Sequence, residues 1–91
     1  MSKNQIAISS LAMDLKRVAL GYYKGSRTTA ERFVEEALKR TAEIPESEVK
    51  PYLQKHLQIL PTILRQKDKG KLAEDALMYS TLFQNYALKY F

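Results

Sequence analysis

Apolar residues recur at intervals of three and four along most of the chain, the spacing that places them on one side of an α-helix. The first such stretch predicts a helix over residues 5–24, with a main stripe running from Ile8 through Leu15 to Tyr22. A second apolar line, on roughly the opposite side of this helix, consists of Ile6, Met13 and Leu20. A helix that is apolar on two sides either lies at the centre of a bundle or is half covered by a partner.

The next segment predicts the end of this helix and the start of another. Gly25 stands where a left-handed backbone commonly closes a helix, because glycine has no Cβ atom to clash. Thr28 and Glu31 have the spacing of a capping box, which predicts a second helix over residues 29–44. The apolar residues of this segment fall on one side and its charges on the other, so we interpret it as a surface helix.

Two further helices follow the proline-bounded segment that begins at Pro45. Residues 50–67 keep one apolar stripe in phase across Pro61, so we predict a single helix that is kinked there rather than two helices. Asp68 is a suitable N-cap for a last helix over residues 69–90. Leu77 and Leu88 lie off its main stripe, and its apolar arc is too wide for a simple surface helix.

These four segments, the short connections between them and the absence of a period-two strand pattern predict an all-α protein. We expect one domain over residues 1–91, folded as a four-helix up-down bundle. In that topology the loops around residues 24–27 and 65–71 lie at one end of the bundle. The acidic loop over residues 45–48 lies at the other end.

The composition fits a small intracellular domain. Apolar residues make up 45% of the 91 residues and charged residues 27%, which are ordinary globular values. The chain has no cysteine, which excludes disulfides and thiolate chemistry and is consistent with a reducing cytoplasm. It has neither the long apolar run of a membrane span nor the pattern of a signal peptide. We therefore expect a cytoplasmic protein that does not insert into membranes.

The net charge of +5 is unevenly distributed along the chain. Residues 1–27 carry five basic and one acidic side chain, whereas residues 28–48 carry three basic and six acidic ones. Residues 49–91 return to seven basic against three acidic side chains. A basic balance suits an acidic partner, such as nucleic acid or an acidic protein surface.

Candidate catalytic residues are few. His56 is the single histidine, and the positions three and four residues after it are Ile59 and Leu60. Histidine phosphotransfer domains typically have lysine and glycine there, so we interpret His56 as a partly packed residue at the edge of the apolar stripe.

The acidic pairs Glu35/Glu36 and Glu74/Asp75 consist of adjacent residues, whose side chains diverge by about 100° on a helix. We expect Asp75 either to be buried against Arg17, Arg40 or a tyrosine hydroxyl or to lie at the margin of the apolar arc. No phosphate-binding loop and no hydrolase or metalloprotease motif occurs. The sequence therefore predicts a protein that is not an enzyme and has no cofactor, metal or small-molecule substrate.

The leading functional hypothesis is a small interaction protein, an adaptor or subunit that binds a protein partner or a second copy of itself. Its basis is apolar surface that so short a chain cannot easily cover. The C-terminal NYALKYF adds three aromatic residues, which we expect to be docked rather than frayed. The predicted partner interface consists of Ile6, Met13, Leu20, Leu77, Leu88, Tyr90 and Phe91.

The alternative hypothesis is binding to the phosphate backbone of nucleic acid. Two clusters of basic residues surround the two loops that the bundle places at one end, and a tyrosine beside them is able to stack on an unpaired base. The candidate contacts are Lys16, Arg17, Tyr23, Lys24, Arg27, Arg65, Lys67, Lys69 and Lys71. The opposing interpretation is that these side chains are solvated and complement the helix dipoles.

Overall fold

The computed structural model describes residues 2–91 and contains four α-helices within them. In chain order these are α1 (Lys3–Tyr23), α2 (Arg27–Glu43), α3 (Pro51–Leu64) and α4 (Lys69–Lys89). A short 3-10 turn, Glu46–Glu48, lies between α2 and α3, and residues 2–91 contain no strand. The predicted four-helix up-down bundle is confirmed, and the molecule measures 35 × 22 × 19 Å.

Helix α1 lies between α2 and α4 and packs closely against both. Its contact with α4 includes small buried side chains, among them Ala12 on α1 and Ala76 and Ser80 on α4, beside larger ones such as Val18 and Leu72. The Ser80 hydroxyl donates a hydrogen bond of 2.8 Å to the carbonyl of Ala12, which joins the two helices directly. Small residues let two helix backbones approach each other, so α1 and α4 form a tight pair.

A glycine allows the same close approach between α1 and α2. A Cβ atom at Gly21 would lie only 2.9 Å from the backbone nitrogen of Ala30. Asp14 and Arg40 make the other link between these helices, an ion pair with 3.0 Å between Nε and Oδ2 in which Asp14 is buried. Helix α1 is thus held on both flanks, which explains its buried apolar residues but not the second apolar line, Ile6, Met13 and Leu20, which is exposed.

Helix α3 covers the bundle with large side chains instead of small ones. Its four buried leucines belong to the same core cluster as Tyr79, Phe83 and Tyr86 of α4. The four leucines are Leu53, Leu57, Leu60 and Leu64. Because long side chains separate the backbones, α3 approaches its neighbours less closely than α1 does.

Two of the predicted helix ends are confirmed. Gly25 adopts φ = 76° directly after α1, and the N–H groups of Gly25 and Ser26 donate to the carbonyls of Tyr22 and Gly21. These bonds form a Schellman motif, which satisfies carbonyls at the end of α1. Asp68 caps α4, since its carboxylate accepts a hydrogen bond of 3.0 Å from the Lys71 N–H.

The predicted capping box is wrong. Helix α2 begins at Arg27, two residues earlier than expected, so Thr28 lies inside the helix and Ser26 is the N-cap. Glu31 does not reach back to a backbone N–H but pairs with Arg27 at 2.8 Å, one helical turn away. The helix starts early because the Schellman turn at Gly25 already reverses the chain.

Helix α3 runs through Pro61 without interruption, as predicted, but ends at Leu64 rather than at residue 67. The Arg65 N–H donates to the carbonyls of Pro61 and Thr62, which tightens the last turn and stops the helix. Within residues 2–91, none of the helices combines the length and the apolar character that crossing a membrane requires.

Candidate functional site

The first candidate site is an exposed apolar surface on the tight pair of α1 and α4. We call it the α1–α4 face, and its large apolar residues are Ile6, Met13, Leu20, Leu77 and Leu88. All five are exposed to solvent, from 39% for Leu20 to 71% for Leu88. They lie on the outer sides of α1 and α4, because other residues of both helices occupy the sides that face the core.

The close packing of α1 and α4 brings residues from the two helices together on this face. Met13 and Leu77 line one shallow groove, which Lys16 and Thr81 also border. At one end of the pair, the Gln5 side chain donates a 3.2 Å hydrogen bond to the Ala87 carbonyl. This bond places the start of α1, where Ile6 lies, beside the end of α4, where Leu88 lies.

The structure places the last two predicted interface residues, Tyr90 and Phe91, on a different part of the molecule. Their rings lie 4.7 and 6.1 Å from the ring of Tyr86, which is buried. The Tyr86 hydroxyl accepts a 3.0 Å hydrogen bond from the Lys50 N–H, so this aromatic group lies beside the start of α3. Of the three C-terminal aromatics that we expected to be docked, Tyr86 is buried in the chain's own core, whereas Tyr90 and Phe91 lie against it and remain 38% and 47% exposed.

Beside these aromatics is a second candidate site, a cleft of about 750 Å³ that the sequence reasoning missed. We call it the α3–α4 cleft, and it is lined by Tyr52, Met78, Thr81, Leu82, Asn85, Tyr86, Lys89 and Tyr90. Tyr52 and Met78 are 51% and 54% exposed. The sequence signal was the apolar residues that flank the main stripes of the third and fourth helices.

His56 lies in the contact between α3 and α4. Its ring makes edge contacts with Tyr52 and Tyr79, with centroid distances of 5.2 and 5.5 Å. Burial lowers the pKa of His56 below its ordinary value, and the neighbouring charge of Lys55 lowers it further. The interpretation of His56 as a partly packed residue at the edge of the stripe is confirmed.

The third candidate site is the end of the bundle where the α1–α2 and α3–α4 connections meet, which we call the basic end. Tyr22 and Thr28 share a groove with Leu64 and Lys69, so the two connections lie together as the predicted topology requires. The groove also has acidic walls, because Glu31 and Glu35 line it. Burial, and then the charge of Glu31, raise the pKa of Tyr22.

Several of the predicted basic contacts have partners within the chain. Arg27 pairs with Glu31 at 2.8 Å, and Lys71 pairs with Asp75 at 3.0 Å. The Arg17 guanidinium lies 5.3 Å from the centroid of the Phe33 ring. Tyr23, Lys16, Lys24, Arg65 and Lys67 are exposed, whereas Lys69 is half-buried and donates to the Gln66 carbonyl.

Of the two positions expected for Asp75, the structure shows the one at the margin of the apolar arc: Asp75 is half-buried and is not paired with Arg17, Arg40 or a tyrosine hydroxyl. Its carboxylate accepts hydrogen bonds from the Gln66 amide at 2.9 Å and from the Lys71 ammonium at 3.0 Å. The bond from Gln66, with a smaller effect from Lys71, lowers the pKa of Asp75 although partial burial opposes the shift. Arg40 is unavailable to it because Arg40 pairs with Asp14.

In the part of the chain that the structure describes, no group of three or more histidine, cysteine, aspartate or glutamate side chains is arranged to hold a metal ion. No protein-family model, no curated protein and no solved structure matches the chain. The geometry of the three candidate sites therefore supplies the whole basis for a functional proposal.

Proposed function

We propose that this chain is a non-enzymatic helical interaction protein, an adaptor or a small subunit of a larger assembly, and that the α1–α4 face is its contact surface. The observation that carries the proposal is the position of five large exposed apolar side chains on two helices that pack tightly together. Several large exposed apolar side chains on one side of a helix pair, with polar residues between them, are typical of sites that bind proteins.

The dimensions of the face suit a protein partner. Helices α1 and α4 each contain 21 residues. At about 1.5 Å per residue and about 10 Å per helix diameter, the two together present roughly 600 Å². Stable protein interfaces bury roughly 600–1,000 Å² on each partner, so the two helices together offer enough area for a contact at the small end of this range.

The charges around the face favour an acidic partner. Helix α1 exposes Lys3, Lys16 and Arg17, and its one acidic residue, Asp14, is buried against Arg40. Apolar anchors beside the cations of α1 match a partner with an apolar patch and acidic residues next to α1, which also increases the rate of association. On the α4 side the exposed Glu74 lies one turn before Leu77. The same cations oppose the pairing of α1 with α1 of a second copy.

The proposal is tested by replacing Met13 and Leu77 with glutamate together and comparing the variant with the intact chain in pull-downs from the source cells. Both side chains are exposed, so the fold tolerates the change. A genuine partner is a protein whose recovery falls more than about tenfold with this variant, the equivalent of about 1.4 kcal/mol. Its recovery is unchanged with the control Lys39→Glu, on the exposed side of α2.

Self-association is tested separately by light scattering on the purified chain over a range of concentrations. A dimer that the Met13/Leu77 variant dissociates identifies the partner as a second copy. A monomer at all concentrations, together with no variant-dependent partner in the pull-down, contradicts the proposed function.

Nucleic-acid binding is the alternative, supported by the two connections that share one groove at the basic end. In this alternative the exposed side chains of Lys24, Arg65 and Lys67 contact the phosphates. The glutamates that line the groove repel phosphate and oppose such binding. Filter-binding titrations with single- and double-stranded DNA and RNA at several salt concentrations test it. Backbone contacts require affinity to fall steeply with salt, and the absence of such binding contradicts the alternative.

A further inference from the structure

The α3–α4 cleft adjoins the α1–α4 face along Thr81 and Asn85, but its apolar residues are different ones, and it has the composition of a binding site. Its walls combine exposed tyrosines, Tyr52 and Tyr90, with the flexible side chain of Met78. Tyrosine is enriched among the residues that dominate binding energy, and methionine adapts its shape to a bound surface. The floor is Leu82 and the buried ring of Tyr86.

The shape of the cleft indicates what binds there. Its residues on α4 recur every three to four positions from Met78 to Lys89, which extends along one side of the helix for about 16 Å, or three turns. The walls are side chains of helices, whose backbone groups are already paired. An extended peptide would therefore find no partners for its own N–H and C=O groups, whereas a helix satisfies them internally.

The charges at one end of the cleft indicate the polarity of the bound helix. The ammonium groups of Lys50 and Lys89 lie 5.1 and 5.4 Å from the centroid of the Tyr90 ring. The nearby acids are turned elsewhere, since Glu46 accepts a hydrogen bond from Gln58 and Glu48 accepts one from Asn4. No acidic side chain lines the cleft in the part of the chain that the structure describes.

We propose that the α3–α4 cleft binds an amphipathic α-helix of a partner protein, with the apolar side of that helix against Tyr52, Met78 and Leu82 and its carboxylates facing Lys50 and Lys89. Anchors at spacings of i, i+4, i+7 and i+11 match the three turns of the cleft. The two cations also suit the negative end of the helix dipole, so the C-terminus of the bound helix lies beside Tyr90.

The test uses two synthetic amphipathic peptides of about sixteen residues that share leucines at these spacings. One carries glutamates in its last turn and the other carries lysines there. Each is titrated into the full ¹⁵N-labelled chain, and amide chemical shifts locate the contact. The glutamate peptide is expected to shift the amides around Tyr52, Met78, Leu82 and Lys89, and to bind at least about tenfold more tightly than the lysine peptide.

Matched variants separate this cleft from the α1–α4 face. Met78→Glu is expected to weaken binding of the glutamate peptide more than about tenfold. Lys50→Gln with Lys89→Gln is expected to weaken it about threefold to tenfold and to flatten its salt dependence. Met13→Glu, on the other face, leaves the affinity unchanged. All of these side chains are exposed, and unchanged thermal unfolding confirms that the variants are folded.

Three outcomes overturn the proposal. One is equal affinity for the two peptides, which removes the role of the lysines. Another is a set of shifts centred on Met13 and Leu77, which assigns the peptide to the α1–α4 face. The third is no saturable shift at millimolar peptide. Because the pull-down described above depends on Met13 and Leu77, failure here leaves the proposed function of the α1–α4 face standing.

Discussion

Helix α4 packs against α1 with one side and against α3 with the other, and the two sides bury side chains of different sizes. Toward α1 it presents Ala76 and Ser80, and toward α3 it presents Tyr79 and Tyr86. On the first side the backbones lie close and leave a shallow outer face. On the second side the aromatic rings hold α3 away and leave a cleft.

The difference shows how one helix supports two kinds of surface. Small residues bring two helices together, so residues on the outer sides of both, such as Met13 and Leu77, share one groove of the α1–α4 face. Large residues fill the core between α3 and α4 while they hold the two helix backbones apart. The space outside these residues stays open to a helix of a partner protein. Substitutions that enlarge a buried side chain are therefore expected to destabilise the contact of α4 with α1. Substitutions that shorten one are expected to destabilise the contact of α4 with α3.

The largest effect is expected from Phe83→Ala. Phe83 is fully buried, packs with Tyr79 at a centroid distance of 6.0 Å and belongs to the main core cluster. Removal of a buried phenylalanine costs about 3–5 kcal/mol through lost burial and the cavity left behind. Urea unfolding followed by circular dichroism measures the loss, and a loss under about 1 kcal/mol would mean that α3 does not rest on this ring.

A smaller loss, about 1–3 kcal/mol, is expected from Ala76→Leu, because the added carbons have no room between α1 and α4. Thr81→Leu places a leucine of the same size on the exposed side of α4 and is expected to change stability by less than about 0.5 kcal/mol. The same unfolding experiment compares the two variants. Equal stability for both would contradict the tight packing of α1 and α4.

Hydrogen bonds across the two sides give a third comparison. Ser80→Ala removes the buried bond to the Ala12 carbonyl and is expected to cost about 1 kcal/mol. Tyr86→Phe removes the bond to the Lys50 N–H, which is only partly buried, so the expected cost is smaller, about 0.5 kcal/mol. A larger cost for Tyr86→Phe than for Ser80→Ala in the same measurement would reverse this ranking.

The smallest expected effect is a dependence of folding stability on pH, which arises from His56 in the contact between α3 and α4. Because the pKa of His56 is lower in the folded chain than in the unfolded one, the unfolded chain binds more protons between the two values. Stability is therefore expected to fall as the pH decreases through about 6.5. Unfolding curves at pH values on both sides of this point measure the slope, which His56→Gln should reduce. An unchanged slope would assign the dependence to other groups.

The spacing of apolar residues predicted the exposed residues of the α1–α4 face, but it did not predict the α3–α4 cleft. The pattern places Ile6, Met13 and Leu77 correctly off the core, and it places Asp68 at a helix start, because these properties depend on residues within one or two turns. It does not give the distance between two helices. That distance depends on which side chains face each other, so neither the contact between Gly21 and Ala30 nor the cleft beside Tyr52 was predicted.

Long-range polar partners were missed for the same reason. Asp14 appeared as an isolated acid in an apolar stretch, and nothing near it in sequence indicates Arg40. The wrong helix start at Thr28 has a different origin. A capping box and a Schellman turn compete for the same few residues, and only the three-dimensional path of the chain after Gly25 decides between them.

Site-specific photo-crosslinking tests most directly whether the two sides of α4 support two contact surfaces. A photoreactive amino acid is placed at Met13 on the α1–α4 face, at Met78 in the α3–α4 cleft and at Lys39 on α2, and the intact chain is irradiated in the source cells. Both methionine positions are expected to give discrete adducts, and excess chain carrying Met13→Glu competes only against the Met78 adduct. The same adducts at all three positions, or none at Met13, would contradict the account.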